Sequence, residues 1–339
     1  MKANLKFVLL SLVIVSVPFL WYLKIPGISF GNNTAAKEVK VDSSALQQVI
    51  KNPFVPEKVF FAGEEVPVWI PEVRERLENE LIINCHWHSN TLTLMKLAPR
   101  WFPLFESVFD SMAVPEDFKY ISLVESRLQL EESPVGAAGL WHLMPISAKE
   151  NGLYMDEEVD ERYDPVKSTK VAAKYILKAK NKFGSWTNAA ASYNRGMSGF
   201  ARAIEHQRVN NFYDLKMNSE TARYVFRIIA VKMIFESPER YGFYLEPEDY
   251  YQAWETKTIE VDSTVNDWAE FALEHGTIYK YVRLYNPWIQ EKYLKNKKRR
   301  KYKVQIPKET LSYSEPLTDS DIIIVDSLMG TEDELDKQE

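Results

Sequence analysis

Apolar residues recur every three to four positions between residues 71 and 235, a spacing that predicts helices almost throughout this region. Pro71 and Pro115 stand at tolerated first-turn positions of two helices, and Asp164-Pro165 is typical of a further helix start that Gly184 would end. Three of the predicted buried stripes are Trp101, Leu104, Phe105, Val108 and Phe109; Ala172, Tyr175, Ile176, Ala179 and Phe183; and Ala222, Val225, Phe226, Ile229 and Met233. The alternation typical of strands does not occur in this region, so we expect an all-α domain over residues 66–250.

The pattern changes after Glu255. Residues 256–261 alternate polar and apolar side chains like a strand, and two short helical stretches follow at 264–274 and 277–285. Residues 302–307 have the composition of a closing strand. We therefore predict a small β-α-α-β module over residues 255–308, which makes the fold mainly α with one such module added.

The two ends of the chain have a different character. Lys2 and Lys6 precede an uncharged run at residues 7–23, so residues 1–24 are predicted to be a signal anchor or a cleaved signal peptide. Both alternatives export the rest of the chain, and the anchor would hold it to the membrane on the periplasmic side of the cell envelope. Residues 25–65 are expected to be a tether, and residues 309–339 a disordered acidic tail.

Composition narrows the choice of function. The chain is 45% hydrophobic and 27% charged, close to the average for soluble globular proteins, and its net charge of −6 gives no general electrostatic reason to expect nucleic acid as a partner. Cys85 is the single cysteine, so no intramolecular disulfide can form. The sequence Cys85-His86-Trp87-His88 invites a metal interpretation, but a zinc site normally needs three or four ligands from more than one segment. We expect neither a metal nor a cofactor.

The strongest candidate for chemistry is Glu125, which ends an apolar helical segment. A turn with several glycines follows at residues 133–139, and a second apolar segment can then fold back over the carboxylate. Partial burial disfavours the charged form of a carboxyl group and so raises its pKa. A carboxylic acid that stays protonated near neutral pH can give its proton to a leaving oxygen, which points to cleavage of a glycosidic bond.

Four short clusters in a fixed order carry a family resemblance. They are Glu125-Ser126, Gly139-Leu140-Trp141-His142-Leu143-Met144-Pro145, Ala191-Ser192-Tyr193-Asn194-Arg195-Gly196 and Glu220-Thr221-Ala222-Arg223-Tyr224-Val225. In this order and spacing they resemble the lytic transglycosylases of glycoside hydrolase family 23, which share the goose-type lysozyme fold, and in particular the membrane-bound lytic murein transglycosylase D group. The resemblance covers roughly residues 70–240.

The resemblance implies an activity and a set of site residues. Family members cleave the bond between N-acetylmuramic acid and N-acetylglucosamine in peptidoglycan glycan strands, and they leave a 1,6-anhydro ring. Glu125 matches their sole catalytic carboxylate, which acts first as an acid and then as a base. The residues matched to substrate binding are Ser126, Ser133, His142, Met144, Tyr193, Asn194, Glu220 and Tyr224.

One carboxylate suffices for such a reaction if the substrate supplies the nucleophile. Most glycosidases need a second carboxylate to attack the sugar or to activate water. Here the N-acetyl oxygen and the C6 hydroxyl of the sugar would take over that task, helped by the high effective concentration of an intramolecular group.

This chain departs from the family pattern in two places. His142 stands where the family usually has Gln, and an imidazole that titrates near pH 6 to 7 adds a pH dependence that an amide lacks. The interval from Glu125 to Ser133 is also one residue shorter than in many relatives, which bears on the match of the serine.

The C-terminal module resembles a divergent LysM domain, a class that binds chains of N-acetylglucosamine, because its second helix ends in Asn286-Pro287. A module that only packs against and stabilises the catalytic domain remains an alternative. For the whole chain, two alternatives to a lytic transglycosylase remain open. One is a peptidoglycan-binding scaffold with little or no turnover, and the other is a muramidase that hydrolyses the same bond.

Overall fold

The structure, a computed structural model, describes residues 50–309. The helices of its first domain are α1 (Pro71–His86), α2 (His88–Ser111), α3 (Tyr120–Glu125), α4 (Pro145–Glu150), α5 (Pro165–Phe183), α6 (Trp186–Arg195), α7 (Met197–Gln207) and α8 (Ser219–Glu236). The predicted mainly α fold is confirmed.

Helix α8 forms the centre of this domain. Val225, Phe226 and Ile229 are fully buried, and so are Ile228 and Ala230 on other sides of the same helix. A helix that is apolar all round is surrounded by protein. Helices α1, α3 and α6 pack against it, so α8 supports the end of α3, where Glu125 lies.

The ends of α5 agree with the sequence prediction. The Asp164 carboxylate accepts the backbone N–H groups of Val166 and Lys167, and Gly184 ends the helix with a φ of 80°. Other helices differ from what the pattern predicted. Helix α2 begins at His88 and continues through two prolines, and α7 has no counterpart among the predicted elements.

The hairpin β1 (Val59–Phe61) and β2 (Glu64–Val66) corrects the predicted tether. Val55, Val59 and Phe61 are buried in the same core as the helices, so the chain belongs to the helical domain from about residue 55 and not from residue 66. The Phe61 and Phe118 rings lie 5.3 Å apart, which fixes the hairpin near the start of α3. Strands of three residues are too short to show a period of two in the sequence.

The second module consists of β3 (Thr256–Val261), α9 (Trp268–Glu274), α10 (Tyr279–Tyr285) and β4 (Tyr302–Pro307). The two strands pair antiparallel, from Thr256 opposite Pro307 to Val261 opposite Tyr302. Trp268 and Val304 are fully buried in its core. The predicted β-α-α-β order is thus confirmed.

This module is docked onto the helical domain through the segment between α4 and α5. Val159 is buried in the module's core, while the Asp160 N–H donates to the Trp288 carbonyl at 2.9 Å. The Gln290 N–H donates to the Glu158 carbonyl at the same distance. The docking therefore rests on backbone hydrogen bonds as well as on apolar burial.

The predicted anchor or signal peptide at residues 1–24 lies outside the described residues, as do most of the predicted tether and residues 310–339 of the predicted tail. Between residues 50 and 309, none of the helices has the length and apolar character needed to span a membrane.

Candidate active site

Glu125 lies at the last position of α3 with 17% of its side chain exposed. The Tyr224 hydroxyl of α8 donates a hydrogen bond of 2.6 Å to Oε1 of Glu125. His142 Nδ1 lies 3.8 Å from the other carboxylate oxygen. Two residues predicted for the site thus flank the predicted catalytic acid.

The surroundings of Glu125 favour its protonated form. Burial raises the pKa of Glu125 to about 7, the largest of several influences on this group. The Tyr224 hydrogen bond and the charge of Arg227 act in the opposite direction, while the negative charge of Glu220 adds to the rise. A carboxyl group with a pKa near 7 can both release and recover a proton at neutral pH, as an acid and base in sequence must.

The turn at residues 133–143 folds back beside Glu125, as the glycine pattern predicted. Ala138 and Leu143 exchange backbone hydrogen bonds of 3.2 and 3.0 Å, which closes the turn. Gly139 has a φ of 75°, and a Cβ atom there would lie 2.1 Å from the Arg162 carbonyl oxygen. Only glycine fits such a close approach.

His142 occupies an unusual backbone position on this turn. Its φ is 46°, in the left-handed region that non-glycine residues rarely adopt and that is often found at functional sites. Burial lowers the pKa of His142, so its imidazole is neutral at pH 7. About a quarter of the side chain is exposed, which leaves it accessible beside Glu125.

Ser126 and Ser133 stabilise this arrangement from within. Ser126 is buried and its hydroxyl donates to the Leu140 carbonyl at 2.8 Å, which attaches the turn to the end of α3. That Ser126 contacts substrate stays a prediction, and in the described geometry its hydroxyl donates inside the protein. The half-buried Ser133 accepts the Ala137 N–H at 3.0 Å, and Met144 is exposed just before α4.

Tyr193, Asn194 and Glu220 form a second group of predicted site residues. The Tyr193 hydroxyl donates to the Trp141 carbonyl at 2.9 Å, so α6 holds the residue before His142. The Asn194 amide donates to Glu220 Oε1 at 3.1 Å and its oxygen accepts from the Thr221 hydroxyl at 2.7 Å. These contacts join the end of α6 to the start of α8.

Arg162 is a site residue that the sequence analysis missed. It is buried, and its Nη1 donates to the Gly136 carbonyl at 2.6 Å while Nη2 pairs with Asp160 at 2.6 Å. The guanidinium thus ties the turn to the segment on which the second module docks. In the sequence Arg162 is one of several neighbouring charged residues, a pattern typical of exposed surface, so no sequence signal pointed to this burial.

The described residues hold no cluster of three or more His, Cys, Asp or Glu side chains that could bind a metal ion. Glu220 is the other carboxylate among residues 50–309 whose charge acts on Glu125, and it is exposed and bonded to Asn194. The arrangement is therefore one accessible acid with a raised pKa, a phenol donating to it and a neutral imidazole beside it.

The chain is similar to known proteins in both of its domains. Residues 105–215 match the family model of the transglycosylase SLT domain, and residues 257–310 match that of the soluble lytic transglycosylase C-terminal LysM-like domain. The chain is 28% identical over 202 residues to membrane-bound lytic murein transglycosylase D from two Escherichia coli strains. The match covers 57% of this chain and 44% of the relative, so the chain spans less than half the length of that protein.

Two solved structures also match over part of the chain. One is an inactive mutant of the lytic transglycosylase Slt from Pseudomonas aeruginosa, with 18% identity, a TM-score of 0.34 and coverage of 44% of this chain and 26% of that one. The other is a complex of the 70-kDa soluble lytic transglycosylase with bulgecin A, with 20% identity, a TM-score of 0.31 and coverage of 45% and 26%.

Proposed function

We propose that this chain, which carries a transglycosylase SLT domain and a LysM-like domain, is an exported lytic transglycosylase of peptidoglycan. Its substrate is the β-1,4 bond between N-acetylmuramic acid and N-acetylglucosamine, and its product carries a 1,6-anhydro-N-acetylmuramic acid end. The observation that carries the proposal is Glu125, whose pKa is raised to about 7 by burial while its carboxylate stays accessible.

In this reaction Glu125 gives away one proton and receives another. Glu125 gives its proton to the glycosidic oxygen as the bond from that oxygen to C1 of the muramic acid breaks, with the N-acetyl oxygen of the same sugar supporting the positive charge at C1. The C6 hydroxyl then attacks C1, and its proton passes to the Glu125 carboxylate. Glu125 ends protonated, no water is consumed, and no second carboxylate is needed.

The neighbouring residues have separate tasks in this proposal. Tyr224 orients the Glu125 carboxylate through its hydrogen bond and limits the rise of the pKa. Neutral His142 offers a hydrogen bond to the sugar beside the acid, in the place of the family's Gln. The half-buried side chains of Tyr193 and Asn194 and the exposed Glu220 and Met144 border the sugar, and Ser133 lies on the turn next to it.

We also propose that the protein works in the cell envelope, held to the membrane by residues 1–24. The uncharged run between flanking lysines supports this location, and the related Escherichia coli transglycosylase is described as membrane-bound. The partners would then be peptidoglycan strands and the membrane, without nucleic acid.

Product analysis tests the proposed reaction. Purified peptidoglycan is incubated with the wild-type protein and with Glu125→Gln, and the masses of the released fragments are measured by mass spectrometry. Fragments one water lighter than hydrolysed ones, absent with Glu125→Gln, support the transglycosylase. Fragments of hydrolysed mass would identify a muramidase, whereas binding without release would identify a scaffold.

A further inference from the structure

The motif around Trp87, which the catalytic site does not use, contacts a residue two positions after the proposed catalytic acid. Trp87 joins α1 to α2, and its ring is 5.3 Å from the Arg127 guanidinium. Arg127 follows Glu125 by two residues, which limits the distance between their α-carbons to about 7 Å. The indole is therefore close enough to Glu125 for one short oligosaccharide to contact both residues.

The backbone holds both residues in place. The Trp87 N–H donates to the Ile83 carbonyl at 2.9 Å and the Trp87 carbonyl accepts from Thr91 at 3.1 Å, so the residue is fixed by both adjoining helices. Arg127 has a φ of 55°. Leu128, also left-handed at 57°, is buried, whereas Arg127 is exposed. Non-glycine residues in this region carry strain, which is often found at ligand sites.

The side chains of Trp87 and Arg127 are both available to bind a ligand. Trp87 is 49% exposed, and large aromatic side chains with one solvent-exposed face are typical of binding surfaces. Among residues 50–309, Arg127 has no hydrogen-bond or ion-pair partner, although its guanidinium carries five donors. Asn90, one turn along α2 from Trp87, is buried with its Oδ1 unpartnered in the same range.

We propose that Trp87 and Arg127 form a further subsite for the glycan strand, specific for an acidic N-acetylated amino sugar. The apolar face of the sugar ring stacks on the Trp87 indole, and Arg127 pairs with the free lactyl carboxylate of an N-acetylmuramic acid from which the stem peptide has been removed, since in intact peptidoglycan that carboxyl forms an amide with the peptide. This subsite rests on the proposed function, since it extends the substrate beyond the two sugars at the cleaved bond.

Binding measurements in the Glu125→Gln background, where turnover is stopped, test the subsite. Calorimetry compares a tetrasaccharide of alternating N-acetylglucosamine and N-acetylmuramic acid with a tetramer of N-acetylglucosamine, which has no carboxylate. We expect Trp87→Ala to weaken both ligands about tenfold and Trp87→Phe to weaken them less. Arg127→Met should weaken the acidic tetrasaccharide only, and Arg127→Lys should restore part of its affinity.

Trp69→Ala is the matched control, because Trp69 is 66% exposed but lies at the other end of α1, about 24 Å away along a helix of 16 residues. Thermal unfolding confirms that each variant is folded. Equal affinities of the Trp87→Ala and Trp69→Ala proteins would overturn the subsite while leaving the proposed function intact. Failure of the Glu125→Gln protein to bind either tetrasaccharide would overturn both.

Discussion

At the scale of single residues, the protonation of Glu125 results from opposing influences. Burial raises its pKa to about 7, and the Tyr224 hydroxyl lowers it by donating to the charged form. Because the first step of the proposed reaction needs protonated Glu125, activity should fall as the pH rises through about 7. The Tyr224 hydrogen bond sets where this fall occurs.

Tyr224→Phe should therefore move the alkaline limb of the activity profile to higher pH and lower the maximal rate. Loss of the donor removes the influence that favours the carboxylate, so the pKa of Glu125 rises further. Tyr193→Phe is the control, since the Tyr193 hydroxyl donates to the Trp141 carbonyl and not to Glu125. An alkaline limb that stays in place in Tyr224→Phe would contradict this reading of the hydrogen bond.

His142 should determine where activity falls at low pH, on the acid limb of the activity profile. Its pKa lies below 6.5 because burial disfavours the imidazolium, and protonation at low pH would place a positive charge 3.8 Å from a Glu125 oxygen. The imidazolium has two donors and no acceptor nitrogen, so it can no longer accept the hydrogen bond from the sugar that the neutral ring can accept. His142→Gln should retain activity and extend it to lower pH. The kcat/KM profile of both proteins checks this, and an unchanged acid limb would show that His142 does not titrate in this range.

At the scale of elements, the turn at residues 133–143 depends on the space at Gly139. A methyl group there meets the Arg162 carbonyl oxygen at 2.1 Å, whereas one at Gly136 meets only the flexible end of Glu132, at 3.6 Å. Both glycines have positive φ values, so the backbone strain of an alanine is similar and the steric contact separates the two positions.

Gly139→Ala should lower the free energy of unfolding by at least about 2 kcal/mol, and Gly136→Ala by about 1 kcal/mol. The larger loss arises because the turn or the Arg162 backbone must shift, which also displaces His142 from Glu125. Urea denaturation measures the stability and peptidoglycan digestion the activity. Equal losses in the two variants would mean that the close approach to Arg162 does not constrain the turn.

The helices and their contacts also show how much of the structure can be predicted from the sequence. Capping residues such as Asp164 and Gly184 gave the bounds of α5, because a cap is a local interaction that leaves a local pattern. The contact of Tyr224 with Glu125 joins residues 99 positions apart, and only the family resemblance brought both into one site. The burial of Arg162 and the docking of Val159 depend on tertiary packing, for which single-sequence periodicity carries no signal.

At the scale of the whole molecule, the LysM-like module is joined to the active site through one short segment. Val159 enters the module's core, and the Asp160 N–H donates to the Trp288 carbonyl. The Asp160 carboxylate holds Arg162, which in turn donates to the Gly136 carbonyl on the active-site turn. A second contact lies at Trp254, which packs edge-on against Trp101 of α2 and stacks on Tyr285 of α10 at 4.7 Å.

Val159→Asp should uncouple the unfolding of the LysM-like module from the unfolding of the helical domain. A carboxylate at this position, 1% exposed, must leave the apolar core or be buried without a partner, at a cost of about 3 kcal/mol or more. We expect the wild type to unfold in one calorimetric transition and Val159→Asp to unfold in two. Activity on soluble glycan strands should fall as well, because Arg162 loses its fixed support. Val166→Asp, at a position 41% exposed at the start of α5, is the control. An unchanged single transition in Val159→Asp would show that the module contributes nothing to the stability of the catalytic domain.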